Sequence, residues 1–340
     1  MRYPENLKIG DTIGICAPSC GIVDADKQIK LDKAIKQLTE LGYKVIETES
    51  VRTEFKGRSA SAKKRAEEFI ELYKNPEVKL ILFATGGDFL CEVLDYLNFD
   101  ELKILPPKWM QGYSDITGIE FMFNTILEIP SIYSQTVKDY AMRPLHESLI
   151  NPLKLLSGEK LVQNSFDLYE KEWFTEDVDN PNYLYNLTEK VSWNNLKGED
   201  KIEIEGRAIG GCLDCIQSFF ATKYDNILNY IEKYKDDGFV WYFDVFEMST
   251  PMLYRVLWQM KNAGYFKYTN GIVFGRPLFI RDDYGISFNE TILDAIKDLN
   301  IPIITDADIG HRAPQMAITN GAILKFISEK GKGRLETLWK

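Results

Sequence analysis

The stretch Lys108-Trp-Met-Gln-Gly-Tyr-Ser-Asp-Ile-Thr117 decides how this chain is read. An apolar, aromatic run ends at Gly112, a serine follows two residues later, and Ile116, Ile119, Phe123 and Leu127 then recur at helical spacing. The pattern predicts a strand, a tight turn and a helix, with Ser114 at the turn. A serine in that place stands clear of the sheet, its hydroxyl near backbone N–H groups and the positive end of a helix dipole. This is the arrangement of a nucleophile elbow, although Ile116 stands where the usual Gly-x-Ser-x-Gly has its last glycine. A serine that only caps its helix produces the same local sequence.

Upstream of this turn the chain alternates. Thr12-Ile-Gly-Ile-Cys-Ala17 is a short apolar run closed by Pro18-Ser19, a buried strand entering a turn. Leu31, Ile35, Leu38 and Leu41 share one face of a predicted helix that Gly42 stops. Tyr43–Glu47 is the next strand, and Ser61–Tyr73 a second helix with Ser61 as its cap. Val78–Ala84 is a third strand, ending in Thr85-Gly-Gly-Asp88, after which Phe89, Val93 and Leu97 mark another helix. A diglycine at a strand end lets the backbone approach a ligand, and equally well only turns the chain. Strand–helix alternation of this kind predicts a parallel sheet with helices on both faces. Ligands gather at the carboxyl ends of such strands, where Gly86, Gly87 and Ser114 all fall.

Downstream the signal changes. Residues 146–201 are predicted to be an irregular connection between an N-terminal domain, 1–145, and a C-terminal domain, 202–340; Glu170–Tyr183 is acidic, aromatic and without period. Ile202-Glu-Ile-Glu205 alternates as a strand, and Gly206-Arg-Ala-Ile-Gly-Gly211 is expected to turn the chain. Phe239–Val245 is strongly β-prone, and Asp244 near its end is an acid that burial would oblige to find a partner. A helix over Pro251–Ala263 and strands at Ile272–Gly275, Ile301–Ile304 and within Met316–Ile327 complete the domain, with Ile309-Gly-His-Arg312 in a loop.

At 340 residues the chain is long for one core, so two domains are expected. A hydrophobic fraction of 45% and a charged fraction of 27% are those of an ordinary globular protein. The net charge of −10, without a basic block, argues against nucleic acid or an anionic membrane as partner. The polar Met-Arg-Tyr-Pro-Glu-Asn start and the lack of any long apolar window point to the cytoplasm. Five cysteines fit free thiols in a reducing compartment. Cys212-Leu-Asp-Cys215 has redox-motif spacing, but no second pair completes a zinc site, so the spacing is expected to be adventitious. With two histidines, His146 and His311, a histidine-rich metal centre is excluded, and neither metal nor cofactor is expected. His146, in Pro144-Leu-His-Glu147, has the surroundings of a surface or packing residue.

Taken together, Lys8–Ser19, Thr85–Asp88, Gly112–Thr117, Gly206–Gly211, Gly271–Gly275 and Ile309–His311 resemble, in order, the LD-carboxypeptidase family of serine peptidases, which includes the microcin C self-immunity peptidases. The resemblance implies a Rossmann-like N-terminal domain, a β-rich α/β C-terminal domain, a Ser-His-Glu triad shared between them, and a homodimer. It assigns Ser114 as nucleophile, His311 as base, and the N–H groups of Gly87 and Asp115 as oxyanion hole. The acid falls at Asp244, where the family usually has glutamate; Glu247 competes for that role. Tyr133-Ser-Gln135 stands where relatives often read Tyr-Gly-Pro. Gly86 and Trp173, the latter in a loop like that of the microcin-immunity branch, are expected to contact substrate. A carboxypeptidase must also hold a terminal carboxylate, for which Arg207 and Arg312 are the candidates. The activity so implied is hydrolysis of the amide between an L- and a terminal D-amino acid in a murein peptide. The alternatives are an amidase acting on peptidyl or aminoacyl nucleotides, and a non-catalytic small-molecule binder.

Overall fold

The computed structural model describes residues 1–172 and 181–339. The chain divides into two compact units, each assembled from non-contiguous segments. The first takes residues 1–159 together with 181–186 and 317–319, and the second takes the remaining described residues.

In the first unit β1 (Thr12–Cys16), β2 (Lys44–Glu47), β3 (Val78–Phe83), β4 (Trp109–Gly112) and β5 (Ser131–Tyr133) pair in parallel. Helices connect them: α1 (Ala25–Glu40), α2 (Ala62–Lys74), the one-turn α3 (Cys91–Leu94), α4 (Phe99–Ile104) and α5 (Thr117–Thr125). The local reasons match the sequence. Gly42, at φ +97°, ends the first of these helices in a conformation that costs glycine little. Ser61 caps α2 by accepting from the Lys64 N–H. Ile116, Ile119, Phe123 and Leu127 are all buried, and so is every residue of α5. That helix is covered on all sides, which an amphipathic surface helix is not. The predicted helix over Phe89–Leu97 is shorter than expected, a single turn.

Residues 146–201 contain more regular structure than expected. A helix, α6 (Glu147–Leu156), runs through Pro152, and β6 (Val162–Asn164), β7 (Leu168–Tyr169), β8 (Glu189–Lys190) and β9 (Asn194–Asn195) follow. An interior proline removes a helix hydrogen bond, so the sequence gives little sign of α6.

The second unit is built on β10 (Lys201–Cys212), β11 (Phe239–Asp244), β12 (Thr269–Gly275) and β13 (Ile303–Ala307), paired in parallel. Single-turn α7 (Leu213–Ile216), then α8 (Ile227–Lys233), α9 (Thr250–Asn262) and α10 (Phe288–Ile296), lie along the connections. The chain then forms β14 (Ile318–Asn320), β15 (Ile323–Glu329) and β16 (Lys332–Thr337). The eight-stranded sheet has the order β6-β16-β15-β10-β11-β12-β13-β9. Contrary to expectation, Gly206–Gly211 does not turn the chain; it is the second half of the twelve-residue β10. Its glycines serve close strand approach instead. A Cβ on Gly210 would fall 1.9 Å from the Tyr242 carbonyl oxygen, and one on Gly206 about 3.0 Å from backbone at Phe239.

β14 belongs to the first sheet, whose order is β14-β5-β4-β3-β1-β2. Among the described residues no helix is long and apolar enough to cross a membrane.

Candidate functional site

Ser114 sits immediately past β4, in a short 3-10 turn, Ser114–Ile116, that leads into α5. Its φ is +65°, the left-handed region that costs a non-glycine residue about 1–2 kcal/mol. It caps neither helix, since Tyr113 and Ile116 hold those positions. The strained turn is what an elbow needs and what a cap does not. The Ser114 N–H donates to the buried Tyr133 hydroxyl at 3.4 Å.

The loops after β1 and β3 close around this turn. A Cβ on Gly86 would lie 2.9 Å from both Cβ and Oγ of Ser114, and one on Gly87 2.4 Å from Ser19 Oγ. Only glycine allows the backbone to come this near. Asp115 binds both loops: its Oδ2 accepts from Ser19 Oγ at 2.5 Å and from the Leu90 N–H at 2.9 Å. Burial pushes the Asp115 carboxyl above its usual range, and those two hydrogen bonds draw it part of the way back. From α2 the buried Arg65 donates to the Pro18 and Phe89 carbonyls and pairs with Glu92 at 2.5 Å. The two loops are thus braced from below as well.

In the second unit the four parallel strands end in a row of functional-type side chains: Cys212 on β10, Asp244 on β11, Arg276 after β12 and Asp308 after β13. His311 follows in the loop. Its Nδ1 lies 2.6 Å from Asp244 Oδ2, and both side chains are almost wholly buried, at 2% and 0% exposure. The Phe246 ring packs on the imidazole at a centroid distance of 4.3 Å. Asp308 anchors the loop. Its carboxylate accepts from the Phe166 N–H, from Trp193 Nε1 at 3.0 Å and from Arg276 at 2.6 Å. Burial raises the Asp308 carboxyl, and Arg276 opposes that shift.

Glu247 is exposed, three residues beyond Asp244, while its N–H donates to Asp214. Arg207 does not join the group. It pairs with Asp237 at 2.6 Å, donates to the Gly321 carbonyl, and packs over the Tyr234 ring. It faces Phe239 in register, whereas Cys212 faces Asp244, so it lies about 16 Å along the strands at ~3.3 Å per residue. Arg312 adjoins His311, but its guanidinium donates to the carbonyls of Pro277, Leu278 and Lys171 and braces the loop. Trp173 lies outside the described residues. His146 caps α6 by accepting from the Ser148 N–H and packs on Tyr185, away from these groups in role. No cluster of three or more histidine, cysteine or acidic side chains placed to hold a metal occurs among the described residues.

The family model of the LD-carboxypeptidase N-terminal domain matches residues 13–134, and that of the LD-carboxypeptidase C-terminal domain matches residues 205–326. The chain belongs to the LD-carboxypeptidase family. Among curated relatives it is 25% identical to the Microcin C7 self-immunity protein MccF of Escherichia coli over 94% of this chain and 91% of that protein. It is 24% identical to the Probable murein peptide carboxypeptidase of Bacillus subtilis, over 94% and 89%. Among solved structures, the MccF-like protein from Bacillus anthracis superposes with a TM-score of 0.81 at 24% identity over the whole of both chains. The LD-carboxypeptidase fold, a parallel α/β sheet followed by a β-rich sheet, is therefore that of this chain.

Sequence reasoning missed Ser19, Arg65, Arg276 and Asp308. Each is polar and buried, and each works by holding a loop. Arg276, an ionisable residue directly after an apolar strand, carries the same signal that singled out Asp244. For Ser19 and Arg65 the partners come from distant elements, and nothing local marks them.

Proposed function

We propose that this family member is a serine carboxypeptidase that cleaves the amide between an L- and a terminal D-amino acid in murein-derived peptides. The observation that carries the reading is the buried pair of His311 Nδ1 and Asp244 Oδ2. A carboxylate on Nδ1 holds the imidazole in the tautomer whose Nε2 accepts a proton, and stabilises the charged ring that results. Ser114 is assigned as nucleophile because it occupies the left-handed turn at the head of α5. His311 takes the Ser114 proton as Oγ attacks the scissile carbonyl, then returns it to the leaving amine. The N–H groups of Gly87 and Asp115 receive the oxyanion, each worth about 3 kcal/mol of barrier lowering. A serine hydroxyl alone is too weak a nucleophile for an amide, so the reading stands on all three side chains.

A second reading is favoured by what relatives bind. MccF has been solved with aspartyl sulfamoyl adenosine and with glutamyl sulfamoyl guanosine, and an MccF-like protein from Streptococcus pneumoniae with AMP. On that reading the same groups release an aminoacyl or peptidyl chain from a nucleotide. One experiment separates them. The protein is incubated with a murein tetrapeptide and, in parallel, with an aminoacyl sulfamoyl adenosine, and products are read by mass spectrometry. The first reading expects loss of the terminal D-residue, the second release of the amino acid. Ser114→Ala should retain the melting curve and lose turnover by about 10⁴-fold or more. Turnover at the wild-type rate in that variant would remove Ser114 from the mechanism.

A further inference from the structure

β10 ends at Cys212, and the single turn of α7 sets Cys215 three residues on, at the i, i+3 spacing that makes side chains neighbours on a helix. Neither is in a disulfide; Cys212 is buried and Cys215 partly exposed. Of the two residues between them, Asp214 faces the next strand's loop. Asp214 Oδ2 accepts from the Phe246 N–H at 2.9 Å and Oδ1 from the Glu247 N–H at 3.0 Å, while Cys212 Sγ also reaches Oδ2 at 3.8 Å. Phe246 is the residue whose ring lies on His311. Cys212 itself is the register partner of Asp244. The spacing that looked adventitious therefore places two sulfurs together, with Asp214 joining them to the loop that covers His311.

We propose that Cys212 and Cys215 form a thiol–disulfide exchange site, and that its closure resets the loop carrying Phe246 over His311. The co-reactant is a low-molecular-weight disulfide. Cys215, the accessible sulfur, loses its proton to solvent and attacks one sulfur of that disulfide; the S–S bond breaks and one small thiolate leaves. Cys212 then attacks Cys215 Sγ, giving its proton to Asp214 as the second small thiolate departs. Two protein thiols are oxidised to one disulfide and the small disulfide is reduced to two thiols, so atoms and electrons balance. The asymmetry fits the order of events. Its S–H directed at the Cys215 sulfur and its burial both hold Cys212 in its protonated form, so it resolves rather than initiates. Burial also raises the Asp214 carboxyl, against the pull of its two amide donors, which makes it a better proton acceptor. Closure removes the Cys212 S–H from Asp214 and draws the 213–216 turn toward the strand end, and the Phe246 and Glu247 amides follow their acceptor. None of this depends on Ser114 being a nucleophile.

The test uses the full chain in a series of oxidised and reduced glutathione buffers, quenched by alkylation and mapped by peptide mass. With the alkylation carried out in denaturant, the wild type should lose two of its five thiols as a linked Cys212–Cys215 peptide, and regain them in the reduced buffer. Cys215→Ser should form no such link, and Cys212→Ser should trap glutathione on Cys215. In parallel, imidazole NMR reads the consequence, which is practicable because there are two histidines; His146→Gln assigns them. The His311 ring signal should shift between the reduced and oxidised wild type and stay put in Cys215→Ser. Failure of the folded wild type to link, under buffers that link the urea-unfolded chain, overturns the exchange site. Linkage with an unmoved His311 signal overturns its coupling to the loop.

Discussion

Asp244 is one methylene shorter than the glutamate usual in the family, so contact with His311 requires the backbone to come closer. Gly310 supplies that approach. It has φ +95°, and a Cβ there would fall 2.1 Å from Asp244 Oδ1; only glycine tolerates both the angle and the proximity. The short acid and the glycine are matched, and lengthening the acid again should not help. Asp244→Asn, which keeps the shape and loses the charge, should lower kcat by about 10⁴-fold. Asp244→Glu should also fall well below wild type, since the added methylene has no room beside Gly310. Glu247→Ala should stay within a few-fold of wild type, because that side chain is exposed. Steady-state kinetics on the three variants decides the matter: a fully active Asp244→Asn, or a large loss in Glu247→Ala, would transfer the role. At this scale the sequence already marked Asp244, as an acid at the end of an apolar run. It left Asp244 and Glu247 both open, because what sets their positions apart is where a distant loop, Ile309–His311, crosses the strand end, with His311 Nδ1 2.6 Å from Asp244 Oδ2.

The strand–turn–helix around Ser114 was legible because a single period change, from strand to helix, falls on one residue. The second half of β10 was not. Gly206–Gly211 has the composition of a turn, and its glycines prove to be needed for close packing against β11 rather than for bending. A glycine in sequence does not say which backbone it lies against. In the first unit that distinction has a functional edge. Gly86→Ala keeps an allowed backbone but sets a methyl 2.9 Å from Ser114 Oγ, so the serine must move. A displacement on the order of 1 Å costs about 10²-fold in rate, and that is the expected loss in kcat, with KM and the melting temperature little changed; an unaltered kcat would show that Ser114 Oγ does not act from this position. The helix behind the turn carries a second consequence. Glu120 is buried within α5, and burial pushes its carboxyl well above the ordinary range, with the Gly112 N–H pulling slightly back. The folded chain then holds that proton to higher pH than the unfolded chain, whose Glu titrates near ~4.3. The contribution to stability is full below that value and is lost as pH rises toward the raised folded value. Glu120→Gln should therefore melt above wild type near pH 8, by the equivalent of about 1–3 kcal/mol, and the gap should close near about pH 4. Parallel melting curves across that range would show that Glu120 titrates alike in both states.

For the molecule as a whole, composition and length indicated two domains, and the chain does form two compact units, but their segments interleave. Ile318–Asn320 returns as the strand β14 beside β5 in the first sheet. A strand of three residues, Ile-Thr-Asn, carries no mark of the sheet it will join, which is why a left-to-right reading assigns it to its sequence neighbours. Residues 181–186 return as well: the Pro181 carbonyl accepts from Lys33 Nζ, the Tyr183 ring lies 4.7 Å under the same ammonium, and the Asn182 carbonyl accepts from the Arg143 N–H. The first unit is therefore complete only when the later segments are present. Without β14, β5 would become an open edge, although all three of its residues are buried in the whole chain. An unpaired apolar edge strand is an aggregation site, and β5 ends at Tyr133, whose hydroxyl meets the Ser114 N–H. A fragment of residues 1–159 should accordingly elute as aggregate, or melt without a cooperative transition. Adding a linked copy of residues 315–321 should restore some of the melting transition. A monomeric 1–159 fragment with a sharp melt would mean that the returning strand is an accessory to the first sheet and not one of its structural members.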